Sequence, residues 1–253
     1  MIEAATIARC FDKGAARYDN LAQIQNKVSD SLFASVLPEV VDAKHIVDLG
    51  CGTGRLLSKC QAHNPLAELT GVDCSSAMLD VAASKVSGGN WLNQDLVDIA
   101  LGAESQCLVL SSSAMQWVPI EQALKEAARV TKVGGHIAIS TYLDKTLLEW
   151  RRLWRAETLE MPTEDQCVDA AEKVGLSIKR VETNWQTQWC DGFEAAVSSV
   201  RGLGAGANRR SSKGLFGRRE FARIRENVNA QVLKFGAFPM RYHVVSMLAI
   251  KEC

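Results

Sequence analysis

A strand that runs directly into a glycine turn and then a helix constrains this chain more than any other part of it. Residues 45–50 are a short apolar run closed by Gly50, Gly52 and Gly54 follow at alternate positions, and 55–62 places Leu56, Leu57 and Cys60 on one helical face. Glycine lets the backbone turn tightly and approach a ligand closely, beside the N-terminus of the following helix. Such a unit points to a parallel sheet, because the helix carries the chain back to start the next strand in the same direction. The turn also narrows the ligand. In the dinucleotide fingerprint G-x-G-x-x-G the third glycine would fall where this chain has Arg55, which points to a nucleotide-like ligand without a pyrophosphate.

The alternation continues downstream. Residues 68–73 read as a second strand and 75–86 as a helix capped by Ser75 or Ser76, and 91–93, 107–110 and 136–140 read as further strands. Helices are expected over 120–131, closed by Gly134-Gly135, and over 164–174, closed by Gly175. Ahead of the first strand, 28–37 has helical spacing with Pro38 as a stop. In the last third, 176–182 and 242–250 read as strands, with helices over 191–203 and 218–233 between them. The expected fold class is α/β, a mostly parallel sheet of seven strands in one domain over 1–253. Residues 45–141 would form the cofactor-binding core, and 184–240 a helical lid above the ligand edge.

Acids mark the strand ends. Asp73 closes the second strand 23 residues after Gly50, the usual place for a carboxylate that accepts hydrogen bonds from ribose hydroxyls. Asp95 follows the third strand. Carboxylates at three successive strand ends, Asp48, Asp73 and Asp95, suit a ligand with a cationic amino-acid end, a ribose and an adenine amino group. S-adenosylmethionine has those three parts. Asp48, Gly50, Gly52, Gly54, Asp73, Asp95, Leu96 and Ser111 are the expected cofactor-binding residues.

Composition removes other classes. The chain has 253 residues, and 29 Lys+Arg balance 29 Asp+Glu, so the basic excess usual in nucleic-acid binders is missing. Eight cysteines and four histidines are scattered without a CxxC pair, which is not zinc spacing, and no metal is expected. The N-terminus lacks a basic and apolar leader, and no run approaches the roughly 20 apolar residues that span a bilayer. A cytoplasmic protein that binds no membrane is expected.

The motifs from Asp48 to Gly54, Asp73, Asp95-Leu96 and Val133-Gly134-Gly135 resemble those of class I S-adenosylmethionine-dependent methyltransferases, which implies their Rossmann-like sheet. Further segments resemble one family, the malonyl-acyl-carrier-protein O-methyltransferases of biotin synthesis. Phe11 to Asp19 with Gln25 is similar to its N-terminal signature, and Ala114-Met115-Gln116-Trp117 to its Ala-Val-Gln-Trp. Ser140-Thr141, Leu148 to Trp154, Val200 to Ala205 and Phe238 to Val244 are similar to later family segments. The chain departs from the pattern after Trp154, where it lacks an Arg-Pro-His stretch, and at Ser112 and Ser198.

The resemblance implies transfer of a methyl group from S-adenosylmethionine to the free carboxylate of a malonyl thioester on acyl carrier protein, leaving S-adenosylhomocysteine. A carboxylate is already ionised at neutral pH, so no general base is required. Arg201 in the lid is expected to hold the malonyl end, Tyr18 to wall the transfer site, and Gln116 and Trp117 to shape the pocket. From Arg201 to Arg225 the chain carries eight basic residues and one acid, so Arg209, Arg210 and Arg218 are expected to steer the acidic carrier protein to a monomeric enzyme. Two other readings stay open: a methyltransferase for another small carboxylate or metabolite, and a non-catalytic S-adenosylmethionine-binding partner protein.

Overall fold

The computed structural model describes residues 3–154, 160–202 and 215–252. Seven strands form one sheet: β1 (His45–Leu49), β2 (Glu68–Asp73), β3 (Asn90–Asn93), β4 (Gln106–Ser112), β5 (Thr131–Tyr142), β6 (Leu176–Cys190) and β7 (Phe238–Lys251). Their order is β3-β2-β1-β4-β5-β7-β6, with β7 antiparallel to both its neighbours and every other pairing parallel. From β1 the chain winds outward to β2 and β3, then returns to β4 on the opposite side of β1. That reversal opens a crevice at the carboxyl ends of β1 and β4, the switch point where ligands of open α/β sheets bind.

Helices cover both faces. On one side lie α3 (Gln23–Ser35), α4 (Leu37–Asp42), α5 (Arg55–His63) and α6 (Ser76–Lys85), with Leu32, Val36, Leu57 and Leu79 packed on Ile46, Leu108 and Leu110. On the other, α7 (Ile120–Val130) and α9 (Glu164–Lys173) bring Leu124, Ala127 and Ala171 against Val47, Val109, Ile137 and Met247. The inward side chains of β1 alternate between these layers, as its period of two requires. Ser75 caps α6 by accepting from Met78 N, and Thr163 with Gln166 forms a capping box on α9.

Several expected boundaries are corrected. Pro38 does not end helical structure: the chain breaks at Val36, and Pro38 sits in the first turn of α4, where its missing N–H costs no helical bond. Gly134-Gly135 does not close α7, which ends at Val130; both glycines lie within β5. Strand β6 continues past Glu182 to Cys190, pairing 184–190 with 238–244 of β7. This antiparallel pair therefore projects beyond Tyr142, where β5 ends opposite Val244. Above that edge, α8 (Leu148–Trp154), α10 (Phe193–Gly202) and α11 (Leu215–Phe235) form a third apolar cluster, with Trp150, Phe193, Ile224 and Val228 around Tyr142, Phe238 and Tyr242.

The N-terminal segment is helical as well. Helix α1 (Ala4–Asp12), a 3-10 turn (Ala15–Arg17) and α2 (Tyr18–Leu21) precede α3. Helix α1 places Ala4, Ile7, Ala8 and Phe11 at helical spacing, and Ile7 is buried while Phe11 meets Trp117 edge-on at 6.0 Å.

Candidate functional site

A cleft of about 700 Å³, its open mouth included, lies at the switch point between the ends of β1 and β4. Its floor is the glycine turn. A Cβ on Gly50 would sit 2.2 Å from the Ala114 Cβ, so glycine there lets the β1 and β4 loops close together. Gly52 differs: its φ is +52° and an added Cβ would meet nothing within 4 Å. That bare backbone faces open space, as a close-approaching ligand requires. Gly54 packs instead on Ala82 of α6.

Carboxylates surround this floor. Asp73 accepts from Gly52 N and Ser75 N, both at 2.9 Å, and the remaining lone pairs of its carboxylate stay available at the cleft. Burial raises its carboxyl above the ordinary value, while those two amides oppose the rise. Asp48 lies behind the turn, 2% exposed, and its Oδ1 has no hydrogen-bond partner among the described residues. Burial, with Asp73 adding to it, pushes Asp48 up to about 8. Asp95 and Leu96 line the cleft after β3. A buried carboxyl without a partner, near a second raised carboxyl, is an environment that a cation would relieve. The residues therefore fit the cationic amino-acid end and ribose of S-adenosylmethionine.

Uncharged residues complete the cleft wall. Ile7, Phe11, Tyr18, Ser113, Ala114 and Trp117 are among them, with Ala114 against Gly50. Tyr18 meets Phe11 edge-on at 6.0 Å, and burial, then Asp73 and Asp19, raise its phenol far above the ordinary range. Cys74, the thiol of the cleft, is pushed up to about 12, first by burial and then by Asp73 and Asp95. The N-terminal helices are tied over the cleft by Asp12, which accepts from Ser75 Oγ at 2.6 Å, and by Asp19, which accepts from Thr53 Oγ1 and pairs with Lys85.

Seven of the residues read from sequence thus come together in one cleft: Tyr18, Gly50, Gly52, Asp73, Asp95, Leu96 and Trp117. Others lie behind it. Ser111 is fully buried and donates to Leu49 O at 2.7 Å, so it stitches β4 to β1 while the next two serines reach the cleft. Gln116 is buried with its amide occupied, donating to Ser113 O at 2.7 Å and accepting from Thr141 Oγ1 at 3.1 Å. Arg201 falls in α10, but its side chain, like Arg209 and Arg210 entirely, lies outside the described residues. Arg218 is exposed on α11. The sequence reading did not place Ile7, Ser113 or Gln94 in the cleft, and it named Phe11 only as the start of the Phe11 to Asp19 signature.

A family model described as a methyltransferase domain matches residues 47–139. Over 252 residues the chain is 30% identical to the malonyl-[acyl-carrier protein] O-methyltransferase of Hahella chejuensis, covering 96% of this chain and 89% of that protein. The chain belongs to the malonyl-[acyl-carrier protein] O-methyltransferase family. It is an S-adenosylmethionine-dependent methyltransferase with the class I fold. The same family reading extends to the biotin biosynthesis bifunctional protein of Teredinibacter turnerae, 30% identical over 94% of this chain and 45% of that longer protein. Among solved structures, YcgJ of Bacillus subtilis superposes with a TM-score of 0.62 at 14% identity, covering 88% of this chain and 99% of that one, a likeness of fold. No helix among the described residues of this family member is long and apolar enough to cross a membrane.

Proposed function

We propose that the protein methylates the free carboxylate of a malonyl thioester carried on acyl carrier protein, giving the methyl ester used in biotin synthesis, as a cytoplasmic monomer. The observation that carries this reading is a cleft in which, among the described residues, Asp73 and Asp95 are the charged members of an otherwise uncharged lining. A nucleophile that needed deprotonation would call for a base, and beyond the two carboxylates the described lining residues include no histidine or lysine. A carboxylate needs no such help, because its ordinary pKa near 4 leaves it ionised at neutral pH.

Asp73 and Asp95 would hold the ribose and adenine ends of the cofactor, the Gly50–Gly54 turn would take its backbone-contacting face, and Asp48 would supply negative charge beneath its ammonium. When bound, S-adenosylmethionine would supply a sulfonium methyl for transfer to a carboxylate oxygen, the O–C bond forming in line as the C–S bond breaks and S-adenosylhomocysteine leaves. Phe11, Tyr18 and Trp117 exclude water, which strips the carboxylate and holds it at attacking distance, an effect worth several kcal/mol. Arg201, on the helix that packs against α2, would hold the thioester end, and the basic stretch around Arg209, Arg210 and Arg218 would meet the carrier.

Incubating the protein with S-adenosylmethionine and malonyl-carrier protein is expected to yield a carrier heavier by one methylene in the mass spectrum. A folded, cofactor-binding protein that makes no ester would sink the proposal. Activity on free acids alone would point to a small-molecule methyltransferase.

A further inference from the structure

Ser113 has no part in the chemistry assigned so far, yet it lines the cleft in a costly conformation. It follows β4 with φ +56°, the left-handed region that a residue with a Cβ seldom occupies and that glycine adopts freely. Three bonds hold it there. Its N–H donates to Ser140 O at 2.8 Å, its carbonyl accepts from Gln116 Nε2 at 2.7 Å, and its hydroxyl donates to Tyr142 Oη at 3.1 Å. Gln116 is itself fixed by Thr141. Strain that is over-determined in this way and faces a cleft marks a functional position. What serine adds over glycine is one hydroxyl at the cleft wall.

The partner of that hydroxyl is informative. Tyr142 is completely buried at the end of β5, and its ring lies 5.7 Å from that of Tyr242. Its oxygen accepts from Ser113, while its own proton has no acceptor among the described residues. Burial raises this phenol well above its ordinary range, the Ser113 bond opposing and the nearby Tyr18 and Tyr242 adding to the rise. It stays a neutral donor at every working pH. A pair of hydroxyls can reverse its direction: when an anion arrives, Tyr142 donates back to Ser113 and releases the serine proton to the ligand.

We propose that Ser113 hydrogen-bonds the substrate carboxylate and that Tyr142 is the positioning residue that aims it. This rests on the carboxyl-methylation reading above. Neutral hydroxyls suit the task, since they orient a carboxylate without the charge neutralisation by which a guanidinium would blunt the attacking oxygen.

Ser113→Gly separates this role from a structural one, because it removes the hydroxyl while easing the backbone. With malonyl-carrier protein as substrate, Ser113→Gly and Tyr142→Phe are each expected to lower kcat/KM about tenfold, and the double variant to be no more than about threefold worse than either, because the two act as one chain. The midpoint of Ser113→Gly should equal or exceed that of the unchanged protein, and calorimetric affinity for S-adenosylmethionine should stay within about twofold in both, as removal of a substrate-only contact requires. Unchanged turnover in Ser113→Gly would overturn the assignment, as would cofactor affinity falling in step with turnover. If the unchanged protein makes no methyl ester, the carboxyl-methylation reading fails and takes the assignment with it. If the unchanged protein is active and both variants match it, the assignment alone fails.

Discussion

Asp48 concentrates the residue-scale physics of the cleft. A carboxyl this buried, with an unpartnered oxygen and a second carboxyl nearby, ionises reluctantly, and its value of about 8 lies far above the ordinary 3.8. An acid whose folded value is raised adds stability that is complete below its ordinary value and is lost as pH rises through the folded one. The cofactor-free protein should therefore lose stability between about pH 4 and pH 8, and Asp48→Asn should flatten this fall while keeping the shape of the side chain. A cationic ligand favours the ionised form, so affinity for S-adenosylmethionine should rise with pH toward 8, by at most about tenfold per unit, and Asp48→Asn should bind weakly without that slope. Melting curves and titration calorimetry at several pH values check both; an Asp48→Asn profile parallel to that of the unchanged protein would contradict them. The placement of Asp48 and Asp73 at the glycine turn was legible in the sequence because it follows from short spacing along the chain. Ser113 and Tyr142 were not, because strain and burial depend on what distant segments bring against them.

At the scale of elements, the cofactor site is built from β1, β2 and β3 but closed by helices α1 and α2 from the far N-terminal side. Besides the apolar contacts of Ile7 and Phe11, polar tethers attach them: Asp12 reaches Ser75, and Asp19 reaches Thr53 and Lys85. Removing one such tether should loosen the cover without unfolding the sheet, whose core lies elsewhere. Asp19→Ala is expected to weaken S-adenosylmethionine binding about fivefold, given a partly exposed charge-assisted pair, and to leave the melting midpoint nearly unchanged. Stopped-flow release of the cofactor measures the effect directly, and an unaltered release rate would show that the cover is fastened by other contacts. The sheet and its large helices were readable from apolar period; α1 carries the same signal, with Ala4, Ile7, Ala8 and Phe11 at helical spacing, but was not read as a helix, and four-residue α2 is too short to show a period. Strand parity explains Ser111: one residue along β4 separates a hydroxyl tied to Leu49 from those facing the cleft.

Across the whole molecule, a neutral sum of charge hides an uneven distribution. Acids gather at the cleft floor, while α11 exposes Arg218 and Arg219. The other described bases of the stretch have partners, Arg223 in Leu153 O and Arg225 in Glu194. Replacing Arg218 and Arg219 by Glu should raise the apparent KM for carrier protein several-fold, roughly three to ten times, and the turnover of the unchanged protein should decline with added salt. Salt-insensitive kinetics would remove electrostatic steering. The sheet itself carries a further consequence. Strand β5 finds its second partner only in β7, with Tyr142 opposite Val244 and His136 opposite Ile250, about a hundred residues later in the chain. During synthesis the first five strands therefore emerge with an unsatisfied, apolar border that nothing local can close, and α8, α10 and α11 are made before the strand on which they pack. Completion of this fold is a late, long-range event, so the chain is most open to aggregation and proteolysis just before its final strand docks.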